Sequence, residues 1–161
     1  MKKSAVAVLA VLATVTAALL VALPASAAGN PGTTQVSTFD ATGAVFTCPG
    51  TDYIALGGSV RSVFHDSVAA NGSEHVTGTT AATGVTLTDG TTSTIYRLAG
   101  ASWFGGNFNE VNGKFVFTHT EFFNILGPSG GVVARVAGVE HMSSGGSNFS
   151  FTFGTCEAPQ D

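Results

Sequence analysis

The thirteen residues Lys114 to Leu126 (KFVFTHTEFFNIL), with neither Gly nor Pro among them, do most to limit what this chain can become. Their apolar residues do not follow a helical period, and Phe, Val, Thr and Ile are residues that suit a pleated, half-buried surface. The run is predicted to be a strand. Successive strand side chains point to opposite faces, so Phe115, Phe117, His119, Glu121, Phe123 and Ile125 share one face and Val116, Thr118, Thr120, Phe122, Asn124 and Leu126 the other. The aromatic face is interrupted at its centre by His119 and Glu121. Two polar residues on a core-facing stripe need partners or a purpose.

Thr, Val, Phe and Gly dominate the chain beyond residue 27, and no segment carries a convincing 3.6-residue apolar period, so the expected class is all-β. Thr33 to Cys48 reads as two strand pieces broken near Ala41 to Gly43, with Pro49 to Asp52 as a turn. Tyr53 to Val68 continues through Gly57-Gly58, where a bulge is expected rather than a reversal, because apolar residues resume at once. Asn71-Gly72 and Asp89-Gly90 mark hairpin turns around a Thr-rich strand that starts at His75. Thr94 to Phe104 follows, then a Gly/Asn loop, then the Lys114 run, then Val132 to Met142, and last Asn148 to Cys156. Seven or eight strands at this spacing predict an antiparallel up-and-down barrel, with a β-sandwich as the alternative.

At the N-terminus, Lys2 and Lys3 precede an apolar stretch from Ala5 to Leu23, followed by Pro24 and the small-residue site Ala25-Ser26-Ala27. This is the pattern of a secretory signal peptide over residues 1–27, and it predicts one exported domain over residues 28–161 with no membrane association after cleavage. The remaining chain has four basic residues, Arg61, Arg97, Lys114 and Arg135, against ten acidic ones, a formal charge of −6. Such a surface repels phosphate backbones, and nucleic acid is not an expected partner. Cys48 and Cys156, the two cysteines, are expected to form one disulfide in an oxidising compartment and to tie the first strand to the last. Phe149, Phe151 and Phe153 share a face that Cys156 does not, so a core-facing bridge calls for an extra residue near Gly154.

Pairing Gly127 with Gly130 across Pro128-Ser129 sets Glu121 opposite Val136, His119 opposite Gly138 and Phe117 opposite Glu140. That register keeps apolar residues together and turns Arg135 and His141 to the other face, beside Thr118, Thr120 and Asn124. His119, Glu121 and Glu140 then face inward, with Tyr96 and Trp103 expected near the barrel mouth. These five residues are the candidate lining of a ligand site, in which a carboxylate orients an imidazole toward the polar group of a partly apolar small molecule. The competing reading is a satisfied His–Glu pair that helps fix the register. His65 and Asp66 are adjacent and point to opposite faces, so they form no dyad. No two of the four His residues have the close spacing of a metal site, and neither a metal nor a cofactor is expected. There is no G-x-S-x-G elbow, and no catalytic residue is assigned.

The progression FTCPG, the Gly-Gly strand ending in His65, Asn71-Gly72 before a strand with His75, TIYRLAG, FNILGPSGG, Glu140-His141-Met142 and the terminal FTFGTCE resembles small exported bacterial proteins, mainly actinobacterial. The resemblance implies export, an all-β fold and the disulfide, and brings no catalytic residues with it. The expected function is that of a secreted, non-catalytic binding or interaction module, monomeric or weakly associating. The alternatives are a small acid/base enzyme using His119 and Glu121, and a structural protein of the cell surface or matrix that works through an exposed face.

Overall fold

The computed structural model describes residues 30–146, 148–157 and 159. Among them there is no helix. The strands are β1 (Asn30–Asp40), β2 (Val45–Cys48), β3 (Thr51–Val68), β4 (Ser73–Asp89), β5 (Ile95–Asn109), β6 (Lys114–Leu126), β7 (Val132–Ser143) and β8 (Phe149–Thr152). All belong to one sheet, in the order β1-β3-β4-β5-β6-β7-β8, with β2 also on β3. A single sheet excludes the two-sheet sandwich. β1 and β2 share one side of β3, β1 along Ser59 to Val68 and β2 along Thr51 to Ile54, and the break between them falls where the sequence places it.

The turns follow their local chemistry. Cys48 pairs with Thr51 across Pro49-Gly50. The Asn71 side chain accepts a hydrogen bond from the Ser73 amide at 3.0 Å, which closes the β3–β4 turn. Asp89 organises the β4–β5 connection: its carboxylate accepts from the Thr91 and Thr92 amides and hydroxyls, and from the Tyr96 hydroxyl at 2.9 Å. These bonds, those from Thr92 foremost, hold its carboxyl far below the usual carboxylate range. β3 runs unbroken through Gly57-Gly58, with the register slipping on either side of Gly57. Gly58 has φ of +101°, and a Cβ there would overlap the Val85 backbone of β4, so only glycine fits this crossing.

Three expectations are corrected. The first is closure. Every step from β1 through β3, β4, β5, β6 and β7 to β8 is antiparallel. Six reversals leave β1 and β8 running the same way, so a closing ladder between them would have to be parallel, and none forms among the described residues. The barrel is open. At one end only, an isolated bridge crosses the gap, Thr47 of β2 with Glu157, while Cys156 in the same segment bridges back to Val136 of β7.

The second is the β6–β7 register. The Gly127 amide donates to Gly131 at 2.8 Å and the Gly130 amide to Gly127 at 2.9 Å, so the turn is one residue longer than expected. A further residue is absorbed between Leu126, which pairs with Val132, and Ile125, which pairs with Ala134. The total slip is two residues, which changes partners but not faces. Thr118 accordingly meets the His141 ring nitrogen at 2.9 Å, and the Arg135 Nε donates to Asn124 at 3.1 Å, both on the outer face as expected.

The third is β8. Phe149, Phe151 and Phe153 lie on the outer face, half exposed, while Cys156, of opposite parity, is buried at 2 % exposure. The parity difference is therefore what sends the cysteine inward. The Phe153 and Gly154 amides both donate to the Ala137 carbonyl, and the Thr155 and Cys156 amides both to Arg135, so the chain does crowd locally against β7.

The core gathers at the bridged end, where Phe46, Tyr53, Ala55, Val85, Leu87, Leu98, Ile125, Ala134, Val136 and Cys156 form one cluster. Residues of β2 and β7 meet in it although four strands separate them in the sheet, so the sheet curls over this core. The Cys48–Cys156 disulfide joins β2 to the segment just past β8, across 108 residues of sequence. It is a bond suited to an oxidising, non-cytoplasmic environment. Closing so long a loop restricts the unfolded chain by about 4–5 kcal/mol in the chain-entropy model. Replacing both cysteines by Ser is expected to lower stability by several kcal/mol, read from urea unfolding extrapolated to water, with a steeper slope than the oxidised wild type because the unlinked denatured chain exposes more surface.

Candidate functional site

Cross-strand register arranges the inner face into rows. Next to the core lies a polar row, Ser62, Thr80, Ser102, Glu121 and Gly138 on β3 to β7. Beyond it run Phe64, Gly78, Phe104, His119 and Glu140, then Asp66, Val76, Gly106, Phe117 and Met142. Three of the five expected site residues, His119, Glu121 and Glu140, are thus brought together on β6 and β7. The two-residue slip puts His119 directly opposite Glu140 and Glu121 opposite Gly138. The room made by Gly138 goes to the carboxylate and not to the imidazole: a Cβ on Gly138 would lie 3.2 Å from the Glu121 Oε1.

Burial raises the Glu121 pKa above its ordinary value of 4.5; the charge of His119 opposes that shift and the charge of Glu140 adds to it. Ser102, buried at 7 % exposure, is its neighbour on β5.

Aromatic rings take up the inner face beside His119. Phe104, its partner on β5, lies over Gly78 so closely that a Cβ there would overlap the ring. Phe104 stacks on Phe64 and meets Phe117, each with ring centroids 6.1 Å apart, and Phe117 continues to Phe108 and Phe115. Two open hollows among the described residues lie elsewhere. One of about 410 Å³ is lined by Cys48, Gly50, Thr51, Asp52, Gly90 and Thr91. Another of about 210 Å³ lies on the outer side between Val132–Arg135 and Phe153–Thr155.

Tyr96 and Trp103 do not join the group. The Tyr96 ring sits edge-on to Tyr53 at 4.9 Å near the core end, its hydroxyl engaged by Asp89. Trp103 is half exposed on the outer face, between Thr79 and Thr120. Strand parity already separates Trp103 from residues on the opposite face of β5, and that signal was present in the sequence.

A second acidic group was missed. Asp66 is 5 % exposed, with its Oδ1 lacking a hydrogen-bond partner. Burial, and then the neighbouring Asp66, raise the pKa of Glu74, with Glu110 adding to the shift. The turn at Asn71-Gly72 pairs Val68 with Glu74 and Asp66 with Val76. Applying that pairing to the sequence would have put the two carboxylates on one face. Among the described residues, no three or more His, Cys, Asp or Glu side chains are arranged to hold a metal. The inner face therefore offers two carboxyls of raised pKa, Glu121 and Glu74, beside aromatic rings.

The outer face of β7 and β8 carries a different feature. The His141 ring stacks on Phe149 at 5.2 Å, Phe149 on Phe151 at 6.0 Å, and Phe151 meets Phe153 at 5.8 Å. The three Phe residues are 50 %, 53 % and 56 % exposed. Val132 and Val133 are similarly exposed on β7, and the Arg135 guanidinium lies 5.1 Å from the centre of the Phe122 ring.

A carboxyl whose folded pKa is raised stabilises the fold below its ordinary pKa, and that stabilisation is lost as pH rises through the raised value. Glu121→Gln, which stays neutral throughout, is expected to be more stable than wild type at pH 7 by about 1 kcal/mol or less, since the group is still partly wetted. Urea midpoints at pH 7 and pH 4 check this, the difference shrinking at the lower pH. Comparison of the chain with family models, with curated proteins and with solved structures returned no match.

Proposed function

We propose that the protein is an exported, non-catalytic interaction module that works through the outer face of β7 and β8. The observation that carries this reading is the stacked row of His141, Phe149, Phe151 and Phe153 held half exposed on the sheet. Each Phe leaves roughly 100 Å² in water, and covering all three is worth roughly 7 kcal/mol before the costs of association. A row of that kind on a rigid sheet is an interaction site more often than an accident of packing. The N-terminal signal pattern and the disulfide support export of the chain.

A second reading, a small partly apolar ligand held beside His119, Glu121 and Glu140, is favoured by the raised pKa of Glu121. The rings of Phe104 and Phe64 beside that group weigh against it.

Partition of the exported chain between the cell surface and the medium tests the first reading. Wild type is expected to be held at the surface or in assemblies, and Phe149→Ser/Phe151→Ser/Phe153→Ser to be released several-fold more, with its melting temperature within a few degrees of wild type. Equal partition of the two would contradict it. A small molecule retained by wild type in native mass spectrometry would favour the second reading.

A further inference from the structure

We infer that the partner of the β8 edge is a second copy of this chain, joined by antiparallel pairing of β8 with β8 about a two-fold axis at Phe151. This rests on the outer-face reading above and names its occupant. Three features of the strand lead to it.

Among the described residues, β8 pairs with β7 on one side only. The Phe153 amide donates to Ala137 of β7, and bonding direction alternates along an antiparallel strand. Phe149 and Phe151 therefore also turn their backbone groups to β7, while Ser150 and Thr152 turn theirs to the free edge.

Phe149 to Phe153 reads F-S-F-T-F, which is self-complementary when reversed. An axis at Phe151 sets Ser150 opposite Thr152 of the second copy, and Thr152 opposite its Ser150. Those are the residues whose backbone groups are free, so both pairs exchange two hydrogen bonds. Phe151 meets its own counterpart, and Phe149 meets Phe153, which extends the aromatic row across the axis on one face of the joined sheet.

Charge selects the same edge. A chain of net charge −6 beyond residue 27 repels its copies, yet from Ser143 to Thr155 it has no charged residue. Edge strands ordinarily carry a charge, a proline or a bulge to prevent such pairing, and Phe149 to Thr152 carries none of them.

A two-fold uses each β8 edge once, so the assembly closes at two copies and does not grow into a filament. Its area is small. Six half-exposed Phe side chains and a five-residue ladder fall below the roughly 1,200–2,000 Å² of a stable interface, so the dimer is weak, with a dissociation constant on the order of 10–100 µM, and tightens as salt screens the acidic surfaces.

Sedimentation equilibrium of the exported chain, from micromolar to millimolar concentration, is expected to show monomer passing to dimer and no larger species. Thr152→Pro removes an amide that faces the edge and not β7, and is expected to stay monomeric at every concentration with its circular dichroism and melting temperature retained. Phe151→Cys is expected to give an oxidised covalent dimer, because facing residues at a non-hydrogen-bonded position lie about 4.5 Å apart, within disulfide reach. Phe149→Cys alone gives none, but cross-links when mixed with Phe153→Cys. Wild type monomeric throughout, Thr152→Pro dimerising like wild type, or Phe149→Cys cross-linking with itself as readily as Phe151→Cys would each overturn the two-fold. If self-pairing fails while surface partition still depends on the three Phe residues, the outer-face reading stands with another partner. If neither depends on them, both fall.

Discussion

The fold turns on a mismatch of direction. Six antiparallel steps across the sheet bring β8 alongside β1 running the same way, and a meander joined by tight turns has no parallel ladder with which to close. The gap is bridged at one end by the Cys48–Cys156 bond and by the single pairing of Thr47 with Glu157. The well-packed core lies at that same end, around Leu87, Ile125 and Val136. Toward the other end the inner face becomes polar and then aromatic, and among the described residues the two outer strands keep one free edge each. Disulfide, core position and open edge are thus consequences of one count of strands.

Where the sequence was legible, local chemistry was decisive. Gly57-Gly58 reads as a bulge because apolar residues resume after it, and Gly58 sits where the backbones of β3 and β4 cross. Asn71-Gly72 and Asp89-Gly90 carry the side chains their turns use. The faces of β6 and β7 were also legible, since Thr118 meets His141 and Asn124 meets Arg135 as expected. Face depends only on parity, and a slip of two preserves parity. The partner of His119 was not legible, because it depends on how many residues the turn at Gly127 to Gly131 absorbs, and several hairpin lengths suit that glycine-rich stretch.

β8 differs from expectation for another reason. An extra residue near Gly154 is needed to turn Cys156 inward only if the three Phe residues also face inward, as they would in a closed barrel. In an open sheet the buried side of the last segment is claimed by Cys156, whose bond to Cys48 sets the parity, and the Phe residues are turned outward. The outward row therefore follows from the disulfide and the missing closure together, neither of which hydrophobic pattern reports. The candidate lining of His119, Glu121, Glu140, Tyr96 and Trp103 was divided by the same logic. The first three share a face and a neighbourhood, Tyr96 lies further along toward the core, and Trp103 is on the opposite face.

The central claim is that the outer edge of β8 is free, and amide hydrogen exchange measured residue by residue in dilute solution tests it most directly. Phe151 and Phe153 bond to β7, so their amides are expected to be protected, while those of Ser150 and Thr152 exchange close to the rate of an unstructured chain. Protection of Ser150 and Thr152 as strong as that of Phe151, in a sample shown to be monomeric, would mean that the edge is closed within the chain and would contradict the account.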